Sequence, residues 1–136
     1  MPSGRRKKQD WSPGYGGVRG IRAIWPPFVD GYLEAALSVT QDDTGRPLSR
    51  DYTIEAFSHE AVRQAVSDSN RFIEENRRAL ERYGRRPEWN GHEFFMSRNS
   101  YSEGFEDRAL KTAARAYPPV EAYWEEDGRL HFGRMM

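Results

Sequence analysis

A chain of 136 residues, 37% hydrophobic and 31% charged with basic and acidic groups in balance, holds one domain with a modest core rather than two. It has no cysteine, which excludes a disulfide framework and a thiolate metal site, and its three histidines, at 59, 92 and 131, argue against a structural zinc. No apolar run is long enough to span a bilayer and no charged-then-apolar leader opens the chain, so the expectation is a soluble cytoplasmic protein without a cofactor.

The charge is unevenly placed. Residues 1–22 carry six basic groups (Arg5, Arg6, Lys7, Lys8, Arg19, Arg22) against Asp10, a net +5, and the rest of the chain is −5. A basic arm on an acidic body can touch nucleic acid, or fold onto its own body or a neighbour's. Residues 1–27 are rich in Gly and Pro and show no helical or strand period, so a mostly disordered arm is expected. Trp11, Tyr15, Ile21, Ile24 and Trp25 are unusual for a pure tail and suit a second half that packs down. Residues 28–136 are expected to form a single α+β domain.

Residues 28–39 read as a helix, with Tyr32, Leu33, Ala36 and Leu37 at helical spacing; Gly31 leaves a strand over 31–39 as the alternative. Residues 41–51 are a loop by their turn signals, and 52–57 a brief extended connector. The clearest element is a long helix over 59–83, with Ser58 as N-cap and Gly84 as the C′ residue. Asn76 falls within its apolar stripe and needs partners there. The apolar run within 92–97 reads as a strand, the polar run to 104 as a loop, and 105–117 as a shorter helix stopped by Pro118 and Pro119. Residues 120–132, with Asp127-Gly128 between two short alternating runs, read as a hairpin with His131 on its outer side. The expected fold is therefore a small antiparallel sheet, strand 92–97 plus hairpin 120–132, packed against helices 59–83 and 105–117.

The stretch from 89 to 108 concentrates the chemistry. Within it, Gly91-His92, Phe94, Arg98-Asn99, Gly104-Phe105 and Asp107-Arg108 resemble a G-H-[DE]-F-x-x-[ST]-R-N-x4-G-F-x-D-R block of small uncharacterised proteins of phages and plasmids. Tyr32, Glu34, Ala36 and Leu37 are similar to that group's upstream Y-x-E-x-A-L, and Gly45, Pro47, Leu48 and Tyr52 to its G-x-P-L-x-x-x-Y. The resemblance covers roughly residues 30 to 132 and implies a mobile-element origin, hence a host-cell cytoplasmic location. That group often has a second histidine in the loop; Tyr101 stands there, which weakens a two-histidine scheme.

The candidate binding residues are His92, Arg98, Asn99, Tyr101, Phe105, Asp107 and Arg108. Arg98 and Arg108 are placed to share an anion such as a phosphate or a partner's carboxylate. The bland alternative is a brace, with Asn99 shaping the loop and Asp107 serving the helix start. His92 and Glu93, adjacent on a strand, would point to opposite faces. No nucleophile is visibly paired with a base and no metal-ligand spacing is present, so catalytic and metal residues are not expected. The leading expectation is a phage or mobile-element accessory protein that binds a host macromolecule, most economically a protein of a host defence system. The alternative is a nucleic-acid-binding factor using Arg5, Arg6, Lys7, Lys8 and Trp11 of the arm. A monomer or homodimer fits either.

Overall fold

A computed structural model describes residues 27–134. The first described element is helix α1, Pro27–Val39, so the helical reading of this segment holds despite Gly31. Single turns of 3-10 helix follow at Leu48–Arg50 and Ile54–Ala56, the second within what reads in sequence as an extended connector. Helix α2 spans His59–Glu75, and Ser58 caps it by accepting the Ala61 N–H at 3.0 Å. Helix α3, Arg77–Tyr83, continues after a break at Asn76. The expected long helix is thus two helices. The Asn76 side chain donates to the Phe72 carbonyl at 2.9 Å, beside its own backbone N–H at 3.0 Å. An amide that satisfies itself this way competes with the helical ladder and bends the chain.

The principal correction concerns residues 92–97, which are not a strand. They belong to helix α4, Pro87–Arg98, with Pro87 in its first turn. The residues from Glu93 to Arg98 are buried in succession, so the helix is enclosed on nearly all sides and has no apolar stripe to reveal its period. A short apolar run of this kind does not distinguish a buried helix from a strand. Helix α5, Arg108–Arg115, is shorter than the expected 105–117; Asp107 caps it through the Leu110 N–H at 2.9 Å.

The sheet consists of β1, Val120–Trp124, and β2, Leu130–Arg134, antiparallel with Ala122 opposite Phe132 and Trp124 opposite Leu130. The C-terminal hairpin is as expected, but among the described residues it pairs with no third strand, and Phe57 forms an isolated bridge to Leu130. The α+β class holds, with helices dominating.

Helices α1 and α4 make the central contact. A Cβ on Gly31 would collide with the carbonyl of Glu88, and one on Gly91 with the carbonyl of Phe28. The two glycines therefore let the helix backbones touch. Around that crossing lies an aromatic cluster. Phe94 stacks on Phe72 with centroids 4.2 Å apart, and meets Tyr117 edge-on at 5.1 Å and Tyr32 at 5.5 Å. Phe105 stacks on Phe72 at 5.8 Å. Offset and edge-on pairs of this kind each add roughly 0.5–1.5 kcal/mol beyond their buried area. The hairpin closes the far side, with Phe132 stacked on Phe57 at 5.1 Å.

Candidate functional site

Four polar side chains of the 89–108 stretch, Asn90, Glu93, Ser97 and Arg98, are buried, and those from Ser100 to Glu103 are exposed. Arg98 ends α4 and is 3% exposed. Its Nε donates to the Pro118 carbonyl at 2.7 Å, and its Nη1 donates to the Tyr32 hydroxyl at 3.0 Å and to Asp68 Oδ2 at 2.8 Å. The guanidinium also lies over the Tyr117 ring at 5.5 Å. One planar fork thus joins α1, α2, α4 and the segment before β1, the kind of task that suits Arg better than Lys. The Tyr32 hydroxyl is pushed up to about 12 by burial, an effect that the Arg98 charge opposes.

Asn99 donates to the Phe95 carbonyl at 3.0 Å and accepts the Val120 N–H at 2.8 Å, tying the end of α4 to β1. Phe105 is fully buried, and its N–H donates to Ser97 Oγ at 2.7 Å. Gly104 rests on Ser97 so closely that a Cβ would collide with that hydroxyl. Asp107 is the cap of α5. Asn99 and Asp107 thus serve the loop and the helix start, while Arg98 pairs with Asp68 rather than with Asp107, and an anion held jointly by Arg98 and Arg108 has no support in this geometry. Arg108 is exposed, and Tyr101, 38% exposed, lines a shallow recess of about 320 Å³ with Val39, Phe95 and Val120. The arm residues Arg5, Arg6, Lys7, Lys8 and Trp11 lie outside the described residues.

The structure places His92 elsewhere than the sequence implies. With 87–98 helical, His92 and Glu93 line one recess between α1 and α4, together with Asp30, Gly31, Glu34, Glu88, Trp89 and Glu103. The recess has a volume of about 510 Å³ and an exposed surface that is mostly apolar. Trp89, 56% exposed, is the largest apolar group in it. Its indole is fixed from below: Nε1 donates to Glu93 Oε2 at 3.0 Å, and the Tyr83 hydroxyl donates to Glu93 Oε1 at 2.9 Å. Burial raises the Glu93 carboxyl above its ordinary range, opposed by those two hydrogen bonds. Burial lowers the His92 imidazole, opposed by the Glu103 charge.

Sequence reasoning missed this recess because Trp89, Glu88 and Glu34 look like ordinary surface residues one at a time. The available signal was Gly31 and Gly91, one in each of two apolar segments, which marks close helix packing and a notch beside it. A second unforeseen constellation joins Ser58, His131 and Asp127. Ser58 Oγ lies 3.2 Å from His131 Nδ1, and His131 Nε2 lies 2.9 Å from Asp127 Oδ2. His131 on the hairpin is thus drawn against the start of α2. Ser58 is buried and already accepts the Ala61 N–H, so this chain of bonds fastens the hairpin rather than presenting a nucleophile.

Among the described residues no group of three or more His, Asp or Glu is placed to hold a metal ion, and no helix is long and apolar enough to cross a membrane. Comparison with protein-family models, curated proteins and solved structures yields no match to this chain.

Proposed function

We propose that this is an accessory protein of a phage or other mobile element that acts by contact, docking a segment of a host protein into the recess between α1 and α4. The observation that carries the reading is the exposed Trp89 indole, hydrogen-bonded to Glu93 in a mostly apolar hollow lined by several acidic residues. A fixed aromatic anchor in a pocket is the usual energetic centre of a protein interface. Carboxylates around it favour a basic partner segment and speed its approach. The resemblance to phage and plasmid proteins supports the mobile-element setting, and Glu34 and His92, two of the residues that carry it, line this recess. Antagonism of a host defence protein is the most economical version. Turnover has weaker support, since Arg98, Asn99 and Asp107 are engaged in internal bonds.

The test is affinity purification from host lysate at low salt, with wild type beside a Trp89→Ala variant. One stoichiometric protein retained by wild type and lost with the variant is the expected result. If wild type retains nothing, or both retain the same protein equally, the docking role of the recess is refuted.

A further inference from the structure

We propose that the outward face of helix α5 is a docking surface for the phosphate backbone of duplex DNA. It is separate from the recess between α1 and α4, which no residue of α5 lines, so each surface can fail without the other. Three observations converge on it.

The first is the make-up of that face. Leu110 and Ala114 turn into the core. The exposed residues of α5 are Arg108, Ala109, Thr112 and Arg115, with Lys111 half-buried beside them. Arg108, Lys111 and Arg115 stand at i, i+3 and i+7, which puts them within an arc of roughly 60° on one side of the helix. The helix contains no acidic residue.

The second is the lack of an internal counter-charge. Other exposed arginines of the body have partners: Arg71 meets Glu75 and Arg85 meets Glu106, each at 3.2 Å. Among the described residues Arg108, Lys111 and Arg115 form no ion pair. The two acids that precede the helix are engaged, Glu106 by Arg85 and Asp107 by the Leu110 N–H at 2.9 Å. Like charges along one helix stripe repel, and a bound polyanion relieves that repulsion.

The third is spacing. Residues 108 to 115 cover about 10 Å of helix axis. One strand of duplex DNA presents a phosphate per about 3.4 Å of its axis, so three cations over that length meet about three phosphates. The Thr112 hydroxyl adds a donor between them, and Ala109 lets the helix approach closely. The face carries no ring to stack on an unpaired base: Trp89, Tyr101 and Tyr123, the exposed large apolar groups among the described residues, all lie off α5. It also carries no large apolar side chain to sink into a bilayer. Contacts of this kind hold the backbone and read no sequence.

The test is binding of full-length protein to a fluorescent 20-base-pair duplex between 50 and 200 mM salt. Wild type is expected to bind with log affinity falling linearly in log salt. An Arg108→Gln, Lys111→Gln, Arg115→Gln triple variant is expected to lower that slope by about 2.7, so that wild type loses about 40-fold more affinity than the variant across this range. An Arg108→Lys, Arg115→Lys variant is expected to keep the wild-type slope, because the charges remain. Removing the same charge from α3, as Arg77→Gln, Arg78→Gln, Arg82→Gln, is expected to leave the slope within about 0.5 of wild type, because α3 has Glu81 among its arginines. Circular dichroism confirms that each variant is folded. No binding by wild type overturns the proposal, as does an unchanged slope in the α5 triple variant or an equal fall in the α3 variant. Tighter binding of a duplex RNA of the same sequence overturns the assignment to DNA. Equal competition by polyglutamate, or capture by phosphatidylserine vesicles in place of the duplex, hands the surface to an acidic protein or a membrane and overturns it too.

Discussion

Arg98 reads in sequence either as part of a brace across the turn, paired with Asp107, or as one of two arginines that hold an anion. Its side chain instead meets Asp68, Tyr32 and the Pro118 carbonyl, far along the chain in both directions. Nothing local to residue 98 announces partners so distant in sequence, which is why a brace and a site were indistinguishable there. Removing one member of a buried pair strands the other charge. Arg98→Ala is therefore expected to lower the unfolding free energy by about 3–5 kcal/mol, measured by urea denaturation. A loss under about 1 kcal/mol would show that the guanidinium is not a structural tie. Ser58→Ala is expected to cost about 1 kcal/mol through loss of the cap, a role that the sequence shows plainly.

The recess adds a pH dependence with two opposing signs. Glu93 has a folded pKa raised above 4.5, so the folded state binds the extra proton and stability declines as pH rises from there through the raised value. His92 has a folded pKa lowered below 6.5, so stability declines as pH falls from there through the lowered value. His92→Gln is expected to flatten the second slope and leave the first intact, read from denaturation midpoints between about pH 4 and 7. An unchanged profile would contradict the burial of that imidazole.

At the scale of elements, the sequence was legible wherever one face of a segment stays wet. Helix α2 and the hairpin expose a polar side, and their period or alternation shows; Asp127-Gly128 places the turn. Helix α4 has no such contrast, and its burial in mid-molecule erased the cue that separates helix from strand. Gly31 and Gly91 look like helix breakers on propensity alone. They are instead where tertiary packing overrides propensity, since only glycine lets the carbonyls of Glu88 and Phe28 come so close. Gly31→Ala and Gly91→Ala are each expected to destabilise by about 1–3 kcal/mol or more, although alanine is the better helix former. A stabilised alanine variant at either site would mean that the two backbones do not touch as described.

For the molecule as a whole, apolar periodicity and turn signals lead to the α+β class, with one strand too many, since 92–97 is helical. The recess was not foreseen, because its parts come from α1, α4 and the loop carrying Glu103, which only the fold brings together. If the basic arm serves nucleic acid, full-length protein is expected to bind DNA or RNA with an affinity falling steeply in salt, and charge reversal at Arg5, Arg6, Lys7 and Lys8 removes the arm's part of that binding. Undiminished binding by the reversed variant would discard that use.

The bridge that Asn99 makes between the Phe95 carbonyl and the Val120 N–H has a consequence for how the protein opens. A single carboxamide couples the last turn of a helix to the first residue of a ribbon, so the two should lose their protection against deuterium together, as one cooperative unit. Amide exchange at Val120 ought then to track that of Phe95 and Met96 rather than that of the hairpin tip, and to accelerate on its own once Asn99 is replaced by Ala.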